Sequence, residues 1–255
     1  MSRHKQFLVL YFLPLLAVIF SLVTHANTLA SLLLFWGIPS LLLTAWAWKR
    51  VPKVALFAAV GTVFLISINI IFYVTHQWYV ISMSSYRLFG FMAWEDIPYF
   101  FLWVYFPIIF WEHFYERQVH ERLWTKKMTR LACAFFLSSF AILAAWTWMP
   151  DLLQIPYFYF VGTVLLIVIP LALEVISHPR MGLKFLRVGL YFAYVGILYE
   201  LTALKLGQWI FPSDKFFGWI EIVGLRFPIE ELFAWILLGA VAILSWYEYF
   251  DDDNR

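Results

Sequence analysis

Charge is scarce in this sequence: Asp, Glu, Lys and Arg make up 13% of its 255 residues, where a soluble domain carries about a quarter. The shortage excludes an ordinary water-soluble globule, and the high hydrophobicity excludes intrinsic disorder. Cysteine is nearly absent, and Cys133 alone permits neither an internal disulfide nor a thiolate cluster; it reads as core filling. No GxGxxG and no GxxxxGK followed by Ser or Thr occurs, so flavin, nicotinamide and P-loop nucleotide sites lack their fingerprints. There is no HxxxH or HExxH spacing, no set of histidine boxes, no mid-span lysine and no DxxxD-type motif. Metal hydrolases, di-iron desaturases, retinal proteins and magnesium-dependent prenyltransferases each lack the residues they need. Net charge is only +2 and the basic residues are dispersed, which gives nucleic acid no footprint. No metal and no cofactor is expected.

What is present is apolar. Hydrophobic residues are 64% of the chain and mean hydropathy is +0.80. A bilayer-crossing helix takes about 20 mostly apolar residues. Such runs lie near 7–24, 29–48, 54–75, 96–114, 131–149, 156–176, 184–206 and 229–249. The expectation is an all-α integral membrane protein with eight transmembrane helices and short loops. Ser2-Arg3-His4-Lys5 gives the first run the start of a signal peptide, but it is read as a span because its removal breaks the pairing of halves described next. With an inner N-terminus, the inner side holds Arg3, Lys5, Lys49, Arg50, Lys53, Arg117, Arg122, Lys126, Lys127, Arg130, Arg180, Lys184, Arg187 and Arg255, and the outer side Arg87, Lys205, Lys215 and Arg226. Fourteen against four follows the positive-inside rule. Both termini are expected in the cytoplasm, in the cytoplasmic membrane of a prokaryote. The bilayer is the first partner, and a homo-oligomer is compatible with the layout.

The chain also repeats itself. At an offset of 131, Pro39 falls on Pro170, Lys53 on Lys184, Asn69 on Glu200, Gln77 on Gln208 and Trp78 on Trp209. The second copy then gains four residues, and at an offset of 135 Glu95 falls on Glu230, Asp96 on Glu231 and Trp111 on Trp246. Two four-helix halves are expected, 1–126 and 127–255, in parallel orientation because each has an even number of spans.

Ionisable groups inside a span are costly and are functional candidates by default. Glu95-Asp96 and Glu230-Glu231 stand where the fourth and eighth helices begin, at the outer face, with Pro228 suited to a first helical turn. Simple capping of the helix dipole is one reading. Adjacent side chains on a helix point about 100° apart, so in the other reading one acid of each pair faces the bundle interior. Asn69 and Glu200 occupy equivalent positions at a similar depth, and a polar cluster between the halves is expected. Several carboxyls in one low-dielectric pocket cannot all ionise, which leaves a neutral carboxylic acid as proton donor. Other groups read as structural. Glu112, His113, Glu116 and His120 form a solvated helix end, Glu174 snorkels or pairs with Arg180, and Glu248 with Asp251-Asp252-Asp253 forms a solvated tail. Gly182, Gly189 and Gly196, seven residues apart, form a packing stripe.

Aromatic residues reach 22%, with 27 Phe, 14 Trp and 14 Tyr. Interfacial belts and packing use many of them. Aromatic faces also stabilise cations without attacking them, so an acid among such rings suits carbocation chemistry. Trp94, Trp209, Trp219, Phe227, Phe233 and Trp235 are closest in sequence to the acids and are the candidate pocket lining.

The stretch Trp209-Ile210-Phe211-Pro212, Gly218-Trp219 and Arg226-Phe227-Pro228-Ile229-Glu230-Glu231-Leu232-Phe233 resembles the membrane-embedded lycopene cyclase domain. That family is built from related domains, on two chains or fused, each with a Pro-x-Glu-Glu or Pro-x-Glu-Asp motif. The first half has Ala93-Trp94-Glu95-Asp96 at this place, keeping the acids and losing the proline. The resemblance implies conversion of the linear ends of lycopene into β-ionone rings, a redox-neutral isomerisation. Glu230 or Glu231 would be the acid and Glu95 or Asp96 the base or its partner, with Glu200 and Asn69 tuning proton affinity. Cyclisation or hydration of another polyprenyl chain, non-enzymatic lipid or pigment binding, and proton-coupled transport are the alternatives left open by the residues themselves.

Overall fold

The computed structural model describes residues 1–116 and 123–251. Arg117, His120, Arg122, Asp252, Asp253, Arg255 and the side chain of Asp251 lie outside the described residues. The protein is 75% helical and all-α. Its helices are α1 (Arg3–Thr24), α2 (Thr28–Trp46), α3 (Trp48–Val74), α4 (Asp96–Phe114), α5 (Lys126–Trp148), α6 (Phe158–Ser177), α7 (Pro179–Lys205) and α8, a pair Ile229–Leu237 and Gly239–Phe250 bent by 46°. Long apolar runs become helices because only internal hydrogen bonds can satisfy the backbone where water is excluded. Side chains fix the starts: Asn27 Oδ1 accepts from the Ala30 amide at 2.9 Å, and Thr125 Oγ1 accepts from the Met128 amide at 3.1 Å.

Six of these helices, α1, α2, α3, α5, α6 and α7, are long and apolar enough to cross a membrane, and the bent α8 brings the number to seven. Eight such spans, the number expected, would require α4 as well. Helix α4 has the length, at 19 residues, but contains Asp96, Pro107, Glu112 and His113. It carries these because protein surrounds it, and Phe106, Ile108, Ile109, Phe110 and Trp111 on its several sides are all buried. Helix α3 keeps 56% of its apolar window inside the protein and α6 only 11%, so α3 and α4 are central and α6 peripheral.

Element boundaries recur along the chain. Adding 131 to the ends of the π-helical turn Leu33–Gly37 and of the α-helical segment Ile38–Trp46 gives those of Val164–Val168 and Ile169–Ser177. The same shift carries Trp48–Val74 onto Pro179–Lys205. Beyond α3 and α7, strand β1 (Tyr79–Val80) pairs antiparallel with β4 (Trp209–Ile210), Tyr79 opposite Ile210, positions that also differ by 131. The glutamines just before these strands reach across: Gln77 Oε1 accepts from the Tyr159 amide at the start of α6, and Gln208 donates to Ala26 O and Ser31 Oγ at the start of α2. A short hairpin precedes each acidic pair, β2 (Arg87–Leu88) with β3 (Met92–Ala93) and β5 (Trp219–Ile222) with β6 (Leu225–Pro228). The second turns at Val223-Gly224, both with positive φ.

In lipid, helix association depends on close packing rather than on the hydrophobic effect. A Cβ on Gly189 would lie 3.1 Å from Val241 Cγ1, and one on Gly196 3.4 Å from the Ile236 Cα, so these two glycines let α7 approach α8. Cys133 is exposed on α5 rather than filling the core, since it lies on the side of that helix turned away from the bundle. The bend of α8 falls at Leu238, just before Gly239, where a Cβ would meet Trp103 Cζ2 at 2.5 Å and Ala234 O at 2.9 Å. Gly239→Ala is therefore expected to destabilise the protein by about 1–3 kcal/mol, read as a lower thermal midpoint in detergent. An unchanged midpoint would contradict this packing.

Candidate active site

The acidic pairs divide their work. Glu95, the first member of its pair, turns back onto the preceding loop and accepts from Ser82 Oγ at 2.8 Å and the Met83 amide at 2.7 Å. Glu230, at the corresponding place, accepts from the Phe217 amide at 2.6 Å. Each therefore fastens a loop 12 or 13 residues upstream to the start of α4 or α8. The second members point elsewhere, as a turn of about 100° per residue requires. Asp96 Oδ2 accepts from Asn69 Nδ2 at 3.2 Å, which ties α4 to α3. Glu231 Oε2 accepts from the Tyr159 hydroxyl of α6. Glu200, the counterpart of Asn69, accepts from Trp209 Nε1 at 3.1 Å.

All five carboxyls, Glu95, Asp96, Glu200, Glu230 and Glu231, are buried. Tyr99 stands among three of them, within electrostatic reach of Glu231, Glu200 and Asp96 and of the Tyr199 hydroxyl. The rings of Tyr99 and Tyr199 lie 6.4 Å apart. Asp96, Glu200 and Glu231, drawn from α4, α7 and α8, thus converge on one tyrosine, while Glu95 and Glu230 are held at the loops.

An apolar groove of about 110 Å³ lies beside this cluster, between α3, α4, α5, α6 and α8. Phe72, Tyr159 and Trp235 stand at its polar end, where a narrower extension also touches Trp78 and Phe100. Along its length lie Phe57, Phe64, Trp103, Phe135 and Trp246, with Gly61, Gly162 and Gly239 giving width. The Trp103 and Trp235 rings meet edge to face at 4.3 Å. Tyr159 both lines the groove and bonds to Glu231, so it connects the groove to that carboxyl, which does not itself line it. Trp235, one helical turn beyond Glu231, forms the adjoining wall.

The other candidate aromatics are spread around this arrangement. Trp209 is buried against Tyr199 and holds Glu200. Phe227 is fully buried in strand β6, and Trp94 is partly buried. Trp219 is 37% exposed under the Arg226 guanidinium, and Phe233 is 47% exposed. Those two do not line the groove: Trp219 is on the outward hairpin, and Phe233, two residues past Glu231, points about 200° away from it. Sequence reading missed Tyr99, Tyr159 and Tyr199. Tyr99 was accessible in principle, three residues after Asp96 and so on its face of α4; Tyr159 lies far from any acid in sequence and had no such signal.

At the opposite end of α4, Glu112 and His113 are buried rather than solvated. Glu112 pairs with Arg50 at 3.2 Å and accepts from the Tyr247 hydroxyl at 2.6 Å, and His113 Nε2 meets Gln6 Oε1 at 2.9 Å. Neighbouring helices supply these partners, which lets charge sit inside the bundle. Glu248 accepts from Trp111 Nε1 at 2.7 Å and belongs to this network rather than to a tail. Glu174 pairs with His178, one turn away at 3.2 Å, in place of Arg180. Among the described residues no group of three or more His, Cys, Asp or Glu could hold a metal ion.

Comparison with protein-family models, with curated proteins and with solved structures returns no match. The division of labour between the acids is directly testable. Glu95→Ala and Glu230→Ala are expected to remove a charge-assisted hydrogen bond worth about 1.5–3 kcal/mol and to speed amide exchange at Met83 and Phe217 respectively. Asp96→Asn and Glu231→Gln are expected to leave both amides protected. Equal exchange in all four variants would contradict the assignment.

Proposed function

We propose that this chain is an integral membrane enzyme that cyclises the end group of a linear isoprenoid, lycopene in the first instance, through a carbocation. In this reading it has eight spans in two parallel halves, 1–126 and 127–255, lies in a cytoplasmic membrane with both termini inside, and needs no cofactor. The central support is the aromatic groove that Tyr159 connects to Glu231. A polyene needs an apolar slot entered from lipid, and its protonation needs an acid at one end of that slot.

The steps use the groups at that end. Glu231 in its acid form gives its proton to one carbon of the terminal alkene. The π pair forms the new C–H bond and leaves a tertiary cation at the other carbon. A neighbouring alkene of the same chain closes the six-membered ring with its π pair, which moves the cation into the ring. An adjacent ring carbon then loses a proton to a carboxylate and the C=C bond returns. Asp96 is the base of choice, because Glu95 is engaged by the loop amide. Glu200, bonded to Trp209, tunes the cluster with Asn69. Substrate and product have the same atoms and the same oxidation level, which suits a chain without a dinucleotide fingerprint. The faces of Trp103 and Trp235 stabilise the passing cation and donate no nucleophile. The same lining argues against a polar ion pathway, and hence against proton-coupled transport.

Expression of the chain in cells that accumulate lycopene is expected to convert it to ring-bearing pigments, resolved by chromatography of the extract. Glu231→Gln is expected to slow the conversion by about 10²–10⁴-fold, and Tyr159→Phe by about tenfold. Hydroxylated products would mark capture of the cation by water and a hydratase. Unchanged lycopene, with the chain verified in the membrane, would reject the cyclase reading.

A further inference from the structure

Groove-lining positions have counterparts 131 residues away, and the side chains there differ in size. Gly61 on α3 borders the groove, and its counterpart on α7 is Phe192. Ile167 on α6 borders it from the other side, and its counterpart on α2 is Trp36. The two bulkier residues meet: the Trp36 and Phe192 rings are stacked with centroids 6.4 Å apart. Phe106 of α4 closes over both, 4.8 Å from Phe192 and 5.8 Å from Trp36. All three are buried, at 4% exposure or less, so the space that Gly61 and Ile167 leave open is packed solid at their counterpart positions. The Trp36 indole N–H is buried with no hydrogen-bond partner among the described residues. A buried tryptophan normally satisfies that group, which marks Trp36 as placed for its bulk.

We propose that the chain carries one open groove and one copy of it filled from within, so that a symmetrical linear isoprenoid is cyclised one end per visit. This rests on the cyclase reading above. Phe135, Leu166 and Ile167 border the groove from α5 and α6 and are half-buried rather than enclosed. The unreacted part of the substrate therefore extends toward the lipid on that side. Its second end lies at the far tip of the same extended molecule, and among the described residues the counterpart of the groove is closed by Trp36, Phe106 and Phe192. The half-reacted molecule leaves before its other end enters.

The test is a time course with the purified full chain in lipid vesicles holding lycopene in large excess, followed by chromatography. The expected result is a monocyclic product that rises far above the enzyme concentration before the bicyclic product forms, whether or not it is later consumed. Bicyclic product from the first turnovers, with the monocyclic one never exceeding the enzyme, would overturn the proposal. Lycopene left untouched would instead overturn the cyclase reading, and this inference with it. A second variant, Gly61→Phe, places in the open groove the residue that fills its counterpart. A Cβ at Gly61 makes only ordinary contact with Val104, at 3.5 Å. Turnover is expected to fall to background with the thermal transition retained, and undiminished turnover by a folded Gly61→Phe would contradict the assignment of the groove.

Discussion

A carboxyl buried in an apolar bundle must find a donor, because leaving it unsatisfied costs several kcal/mol. That constraint organises the end of this protein where α4 and α8 begin. Glu95 and Glu230 take loop amides and so fix the hairpins to the starts of α4 and α8. Asp96 takes Asn69 and joins α4 to α3, Glu231 takes Tyr159 and joins α8 to α6, and Glu200 takes Trp209 and joins α7 to strand β4. Each acid thus links two elements. Three of them are brought around Tyr99 as a consequence of the same satisfaction. The candidate chemistry sits where the structure has already had to solve this problem.

Recurrence of elements at an offset of 131 residues makes the differences between matching positions informative. The boundaries of α3, the end of α2, the π-helical turn in α2, Pro39 and the crossing glutamine recur 131 residues later. Yet Gly61 and Ile167 leave room where Phe192 and Trp36 fill it. Aromatic residues therefore have two uses here. At one place they occupy volume, and at its counterpart they wall a groove bordered by α5 and α6. The excess of rings in the composition is explained by neither use alone.

Much of this was legible in the sequence. The helices fall where long apolar runs fall, since length and hydropathy alone decide where the backbone can hide its polar groups. Glu95, Asp96, Glu200, Glu230, Glu231 and Asn69 stood out because burying such groups needs a reason. The split within each acidic pair followed from helical geometry but not its direction, which depends on whether Met83 or Phe217 is in reach. Tyr159 was hidden because its partner Glu231 is 72 residues away. The opposite end was misread for the same reason: Glu112 looked solvated until Arg50 and Tyr247 arrived from other helices. Local pattern finds the costly residue, and only the tertiary structure identifies what satisfies it.

The central claim is that ring closure begins with a proton delivered at the Glu231 end of the groove. It is tested most directly by running the reaction with purified chain in deuterated water and weighing the cyclised product by mass spectrometry. An acid recharged from solvent places one deuterium in each ring formed and adds no oxygen, and Glu231→Gln forms labelled rings about 10²–10⁴-fold more slowly. Rings formed without solvent deuterium, or formed as readily by Glu231→Gln, would contradict a proton-initiated cyclisation at this site.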